Sequence, residues 1–387
     1  MTKKACIIGA GIVGCVLARE LSEHGYRVLM LERRNHIGGN MYDYVDEHGI
    51  RVQKYGPHIF HTDQKSILEY VRRFCQWQEF HLVCGAMIDG KCVPTAFNFE
   101  TIDTFFSKSK AQRMKAQLQQ TFPGREAVPV MELLESSDPL IREYAQFLYD
   151  KDYSLYTAKQ WGIAPQDVDP SVLERVPVKL SYVSGYFNDD YQYMPVRGYM
   201  ELIHNLVDSS RIAIWMNVDA MDYLSRSEDY FTLPDFAISD KDTVIYTGPL
   251  DELFACQYGC LPYRSLRFEW KYDDKYSLQP MAVVAYPQAQ GYTRITEFKK
   301  LPVQNVVGTT YAVEYPVQYI AGQEAEPYYP IQSEENDKLY QKYLALADKV
   351  KNLVCCGRLA EYKYYNMDQA IAKALQVAEK ILKEGDD

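Results

Sequence analysis

Three short apolar runs along the chain each end on a glycine. Lys4–Ile8 meets Gly9, Thr243–Thr247 meets Gly248, and Asn352–Cys356 meets Gly357, with Arg358 after it. Apolar runs of this length, bounded by turn residues, predict buried strands. The first is followed by a helical stretch to about His24, ended by Gly25, and by a second strand over Tyr26–Leu31 that stops at Glu32. The last leads through a loop to a helix beginning near Asp368, in MDQAIAKALQVAEKIL. Elsewhere the period changes. Through 100–160 apolar residues recur three and four apart (Ile102, Phe105, Phe106, then Ile141, Tyr144, Ala145, Leu148), punctuated by Pro123 and Pro139. That predicts helices. Residues 80–98, 178–196 and 262–316 alternate, as in LVCGAMID, RSLRFEWKY and TTYAVEYPVQY, which predicts strands.

The turn after the first strand is Gly9-Ala-Gly11-Ile-Val-Gly14. In a strand–turn–helix unit such glycines make a tight turn, let backbone approach a pyrophosphate, and bring helix against strand. The phosphates sit at the helix N-terminus, where free N–H groups and the dipole favour negative charge. Glu32, at the end of the next strand, is placed to accept hydrogen bonds from a ribose. Arg33, Arg34 and Gly38-Gly39-Asn40 extend the motif to an ExRxxxxGG-like pattern, typical of a large flavoprotein class, which selects FAD over NAD. The three strand segments lie at the start, middle and end of the chain. The expected fold is therefore α/β: a discontinuous Rossmann-like FAD-binding domain with the other domains inserted.

Charge narrows the ligands. The 387 residues carry 42 Lys+Arg against 52 Asp+Glu, a net charge of −10, which gives no general attraction for a phosphate backbone. Nucleic acid is not an expected partner, and a small anionic ligand must be held by a few local arginines. The nine cysteines form no CxxC pair and read as reduced core thiols of a cytoplasmic protein. Lys3 and Lys4 before ACIIGAGIVGCVLA imitate a signal peptide, but Gly9, Gly11 and Gly14 interrupt the apolar run, Arg19 and Glu20 end it, and no A-x-A-like site follows. No segment reaches the apolar length of a membrane helix. Tyrosine dominates the aromatics, 33 against 15 Phe and 4 Trp, which suits a wet pocket that stacks and hydrogen-bonds its ligand.

Several short stretches are candidates for that pocket. Gly56-Pro57-His58-Ile59-Phe60-His61-Thr62 holds two imidazoles on a rigid turn; with no acid or cysteine at matching spacing, a flavin neighbourhood fits better than a metal. Tyr156-Thr-Ala-Lys-Gln160-Trp161-Gly162 joins phenol, amide and indole. Arg175 in LERVP and Arg294 in Tyr292-Thr-Arg294-Ile-Thr-Glu297 are candidate anion holders, and EPYYP and YKYYN cluster tyrosines. No Ser/His/Asp or Cys/His nucleophile is evident.

Together these stretches resemble the prokaryotic UDP-galactopyranose mutases along essentially the whole chain, through GAGIVG, LERRNHIGGN, KYGPHIFHT, FNFETID, YTAKQWG, RVPV, YTRITEFK, EPYYPI and GRLAEYKYYNMD. The resemblance implies three domains: an FAD domain over 1–79, 197–261 and 331–387, a helical domain with a substrate loop over 99–174, and an antiparallel sheet domain over 80–98, 175–196 and 262–330. It implies ring contraction of UDP-galactopyranose to UDP-galactofuranose, with N5 of reduced FAD as nucleophile at the anomeric carbon. Arg175 and Arg294 would then grip the diphosphate as catalytic cations, with His61 near the flavin and His58 beside it. Tyr156 and Trp161 would border uracil; Tyr186, Asn188, Tyr328, Tyr364 and Asn366 would complete the substrate site. Gly9, Gly11, Gly14, Glu32, Arg33, Gly39, Asn40, Arg358 and Met367 would hold FAD together with both histidines. A homodimer, NAD(P)H or another reductant, and a role in cell-surface polysaccharide synthesis belong to the same expectation.

Two departures stand out. Asn366 occupies a position where relatives commonly carry Asp, and PTAFN at 94–98 replaces PIPFN. The alternatives are the same chemistry on another sugar nucleotide, such as UDP-N-acetylgalactosamine or a deoxy-sugar nucleotide, and an amine-oxidase-type FAD oxidoreductase.

Overall fold

A computed structural model describes residues 3–161, 177–227, 229–320 and 325–385, without the side chain of Trp161. Arg175 lies outside the described residues. The three glycine-ended runs form neighbouring strands of one sheet. Its order is Ile212–Met216, Arg27–Glu32, Lys4–Ile8, Thr243–Tyr246, Leu353–Cys355, and every pairing is parallel. The register sets Ile8 opposite both Leu31 and Tyr246. The carboxyl ends of three strands therefore open on one edge, where doubly wound sheets bind ligands. Both faces are covered: the helices Ile12–Glu23 and Met367–Gly385 pack together on one side, and a second apolar cluster with Phe231, Leu250 and Tyr343 fills the other.

The alternating segments build a seven-stranded sheet, ordered Tyr329–Pro330, Tyr263–Asp273, Thr309–Gln318, Arg294–Glu297, Val283–Ala285, Cys84–Ile88, Lys91–Pro94. It is antiparallel except where Val283–Ala285 runs parallel to Cys84–Ile88. At that end Ala86, Ile88, Val93 and Phe97 join the core of the helical layer. The helices there start where the chain supplies caps. Asn98 and Thr101 form a reciprocal capping box ahead of Phe99–Phe105, and Asp138 caps Pro139–Leu148. Between Pro139–Leu148 and Ser154–Trp161 the chain widens into a π-helical turn, Tyr149–Tyr153. Such turns recur at functional sites.

The segment 175–196 is expected in the antiparallel sheet domain; its described strands pair outside the seven-stranded sheet. Pro177–Lys179 pairs with Ala127–Pro129, and Tyr191–Pro195 lies between Phe60–Thr62 and Trp77–Glu79. The physical reason is burial. Met194 is fully enclosed in the same core as Phe60, and Tyr193 packs against it. The strand thus satisfies its apolar face against the nucleotide domain and holds His61 in register with Gln192.

Candidate active site

Two cavities meet in the structure. The first lies at the carboxyl edge of the parallel sheet and is lined by Gly9, Gly11, Glu32, Arg33, Gly39 and Asn40, with Thr247, Gly248 and Gly357 from the other two runs. Its floor is backbone because side chains do not fit. A Cβ on Gly9 (φ +103°) would lie 2.1 Å from Thr247 Oγ1, and one on Gly39 would lie 2.9 Å from Gly11 Cα. Gly14 does not line the cavity; a Cβ there would lie 2.1 Å from the Gly9 carbonyl oxygen, so it serves helix–strand packing. The helix Ile12–Glu23 begins at Gly11 with no side-chain cap, which leaves its first N–H groups for an anion. These features fit a dinucleotide pyrophosphate.

Glu32 is buried and already employed. Oε2 accepts from the Ala10 N–H at 2.8 Å and Oε1 from the Arg34 N–H at 2.9 Å, so the carboxylate ties both loops of the cleft. Its remaining lone pairs are available to ribose hydroxyls. Arg34, rather than Arg33, is the strut. Its Nε and Nη2 form a fork on Glu326 at 3.2 and 2.7 Å, Nη2 also reaches Asn40 Oδ1 at 3.2 Å, and the guanidinium lies over Tyr55. Burial alone would raise the Glu326 pKa, but Arg34 and Arg33 hold it below the ordinary carboxylate value. This pair links the nucleotide loop to the sheet domain and was not singled out from the sequence.

The second cavity, about 510 Å³, lies between the sheet and the helical layer. His58, Arg358, Asn366 and Met367 line both cavities and form their junction. Arg358 is fixed there by the carbonyls of Tyr328 (3.1 Å) and Tyr365 (2.8 Å), beneath the stacked rings of Tyr329 and Tyr364. Asn366 donates its backbone N–H to Gln369 Oε1 at 3.0 Å, capping the helix that starts at Met367. His58 Nδ1 lies 2.9 Å from the Gly56 carbonyl. A carbonyl only accepts, so Nδ1 carries the proton and Nε2 is left as an acceptor. Burial, with Arg358 and Arg294 nearby, pulls the His58 pKa down to about 4, so the ring is neutral near pH 7.

Arg294 lines the second cavity from the strand Arg294–Glu297. Its Nε donates to Glu314 Oε2 at 2.7 Å, and Thr296 donates to the other oxygen at 2.8 Å. Burial works against its charge, but Glu314, with Tyr156 and Tyr329, outweighs it and the pKa rises. The guanidinium is therefore a fixed, permanent cation with further donors to spare. Tyr156, Tyr186 and Tyr328 line the same cavity, and burial raises the pKa of each phenol, so all three are neutral donors. Gln160 Nε2 lies 3.2 Å from the Tyr156 hydroxyl.

Two expected residues sit differently. His61 lines the second cavity but not the first; it stacks on Phe187 and its Nδ1 lies 3.0 Å from Asp189 Oδ2. Asn188 lines neither cavity, because its Oδ1 accepts from Lys179 at 3.3 Å, which also braces the Gly185 carbonyl. Cys84 and Asp152 are cavity residues that sequence reasoning missed. All nine cysteines are free, and Cys260, unlike the others, is exposed. Among the described residues, Asp251, Cys256 and Cys260 are grouped closely enough to hold a metal ion, yet they line neither cavity. No helix among those described is long and apolar enough to cross a membrane.

Comparison with known proteins agrees with this geometry. Residues 151–364 match the UDP-galactopyranose mutase family, and residues 7–74 match an NAD(P)-binding Rossmann-like domain. A probable UDP-galactopyranose mutase of Klebsiella pneumoniae is 35% identical over 384 residues, 98% of this chain and 95% of its own. A dTDP-fucopyranose mutase of Escherichia coli is 30% identical, covering 98% of each chain. A crystal structure of a reduced UDP-galactopyranose mutase shares the fold, with a TM-score of 0.68 at 15% identity, over 100% of this chain and 95% of its own. The cofactor is FAD. With more than half of the chain matched by the family and nearly all of it shared with relatives, the chain belongs to the UDP-galactopyranose mutase family.

Proposed function

We propose that the protein interconverts UDP-galactopyranose and UDP-galactofuranose with reduced FAD. The observation that carries the reading is the junction: His58, Arg358, Asn366 and Met367 border both cavities, so a flavin ring and a sugar nucleotide can meet there. When bound and reduced, FAD would supply a nucleophilic electron pair at N5 for the anomeric carbon as the UDP group leaves, and His58, Arg358, Asn366 and Met367 would hold it at the junction. The chain's own residues do the rest. Arg294, pinned at Nε, offers its remaining donors to the diphosphate and stabilises it as a leaving group. Arg175 is the second phosphate-binding cation of this reading. Neutral His58 presents an acceptor at the junction without adding positive charge that would compete with Arg294. The start of the helix Met367–Gly385 directs its positive dipole end toward the junction, which favours electron density there. Tyr186, Tyr328 and Tyr364 donate phenol hydrogen bonds to sugar or diphosphate, while Tyr156 borders the base. NAD(P)H is the expected class of electron donor, since the sugar rearrangement itself consumes no electrons.

A second reading, the same chemistry on a deoxy-sugar nucleotide, is favoured by Asn366 at the junction and by the similarity to a dTDP-fucopyranose mutase. One experiment separates them. Dithionite-reduced protein is incubated with UDP-galactofuranose, UDP-N-acetylgalactosamine and dTDP-fucopyranose, and products are resolved by chromatography. UDP-galactopyranose as the main product supports the first reading. Conversion of only the fucose nucleotide supports the second, and conversion of none sinks both.

A further inference from the structure

Among the described residues, Asp152 is the one carboxyl lining the second cavity, and no role in the proposed reaction claims it. It sits in the π-helical turn Tyr149–Tyr153 and is only 8% exposed. Its Oδ1 is sealed from solvent and has no hydrogen-bond partner among the described residues. A buried polar atom left alone costs free energy, so its persistence at the wall of a cavity points to a missing partner.

Its position says what that partner is. Asp152 and Tyr156 stand four residues apart, on the π-helical turn and the helix Ser154–Trp161, and line the helical wall of the cavity; Arg294 lines it from the sheet. With the diphosphate of a sugar nucleotide at Arg294 and the sugar at the junction, the helical wall is left for the base. Asp152 belongs to that wall and is not among the residues that border both cavities.

We infer that Asp152 reads the nucleobase as a neutral acid, donating its O–H to a ring carbonyl and accepting from the adjacent ring N–H, the edge that uracil and thymine present. This rests on the sugar-nucleotide reading of the site. A carboxylic acid and such an edge are complementary in both positions, whereas a carboxylate only accepts and is repelled by the ring carbonyl. Burial raises the Asp152 pKa to about 7, with Lys159 the cation opposing the rise. Among the described residues, the unexposed titratable groups of the elements packed against its turn are these. From Ser154–Trp161 come Tyr156 and Lys159, from Pro139–Leu148 comes Tyr144, and from Cys84–Ile88 comes Cys84; Tyr153 lies on its own turn. Burial raises Tyr153, Tyr144 and Tyr156 and lifts Cys84 to about 12. Lys159 is pulled down to about 8 by burial, and its ammonium is held by the carbonyls of Tyr286, Ala289 and Tyr292.

The test is the affinity of the oxidised, FAD-bound protein for UDP-galactose between pH 6 and pH 8, by calorimetry. UDP-galactose has no phosphate proton to lose in this range. If the neutral acid is the binding form, Kd weakens about tenfold across the window, because affinity falls with the protonated fraction above the folded pKa. Asp152→Asn, whose amide keeps one donor and one acceptor, should give a flat profile near the wild-type value at pH 6. UDP-galactose methylated at uracil N3 should bind weakly, with no pH dependence. A flat wild-type profile, an unchanged slope in Asp152→Asn, or equal binding of the methylated analogue would overturn the inference while leaving the sugar-nucleotide reading intact. Should Asp152→Asn fail to fold, the wild-type profile and the methylated analogue decide the matter alone. Failure of UDP-galactose to bind at any pH would overturn both.

Discussion

The two cavities are built by different means. The first is a backbone site. Its floor is glycine backbone at the ends of parallel strands, its buried acid Glu32 is spent on neighbouring N–H groups, and the uncapped start of a helix faces it. The second is a side-chain site, assembled from the sheet, the helical layer and the tyrosine-rich loop before the last helix. Backbone sites need only local geometry. Side-chain sites need distant elements to arrive together, and their chemistry is set by partners such as Glu314 behind Arg294. Substitutions should therefore behave differently: steric and all-or-none in the first cavity, graded and rescuable in the second.

The largest effect should come from Gly14→Val. A side chain there begins 2.1 Å from the Gly9 carbonyl oxygen, backbone against which nothing flexible can yield. The cost is about 3 kcal/mol or more. Flavin absorbance per protein should fall to near zero, and normal FAD content would break the contrast between the cavities.

Arg294→Ala should leave FAD bound but lower turnover by more than tenfold, about 1.4 kcal/mol of transition-state stabilisation. It should also lower Tm, because Glu314 is fully buried and loses its cation. Adding Glu314→Gln should restore Tm without restoring turnover. Recovery of both would show that Arg294 matters only to folding.

A pH effect follows from His58. Its folded pKa, about 4, lies below the unfolded imidazole value, so the folded state binds fewer protons between them. Stability from this group is full above pH 6.5 and is lost as pH falls toward about 4. His58→Gln should remove that part of the acid slope in thermal melts, while an identical slope would mean that the ring is not buried neutral.

The smallest effect expected is that of Asn366→Asp. The shapes match, so the variant should fold normally and gain several-fold activity on UDP-galactose if that is the natural substrate. A loss of activity on a deoxy-sugar nucleotide would favour the second reading, and no change on either would remove Asn366 from the working site.

The same contrast explains what the sequence disclosed. GAGIVG, Glu32 and the strand–helix–strand unit are contiguous, and each glycine's reason lies within a few residues or in the neighbouring strand. The second cavity was legible only as a set of fragments. The stretches around Tyr156, Arg294, Tyr328 and Tyr364 were singled out, but nothing local tells which side chains face a common space. Asn188 looked like Tyr186, two residues away, yet Lys179 holds it outside. Tyr191–Pro195 shows strand alternation, and alternation gives the period of a strand but not its partner, so its place between Phe60–Thr62 and Trp77–Glu79 could not be read from it. Asp152 reads as one more acid in YDKDY, because an orphaned oxygen is a property of the packed state alone.

The central claim is that the two cavities meet where reduced flavin and a sugar nucleotide react. The most direct measurement is turnover of UDP-galactofuranose to UDP-galactopyranose by the same preparation, first strictly oxidised under anaerobic conditions and then reduced with dithionite. UDP-galactopyranose should form only after reduction, since oxidised N5 lacks the electron pair that attack requires. Equal turnover by the oxidised protein would contradict it.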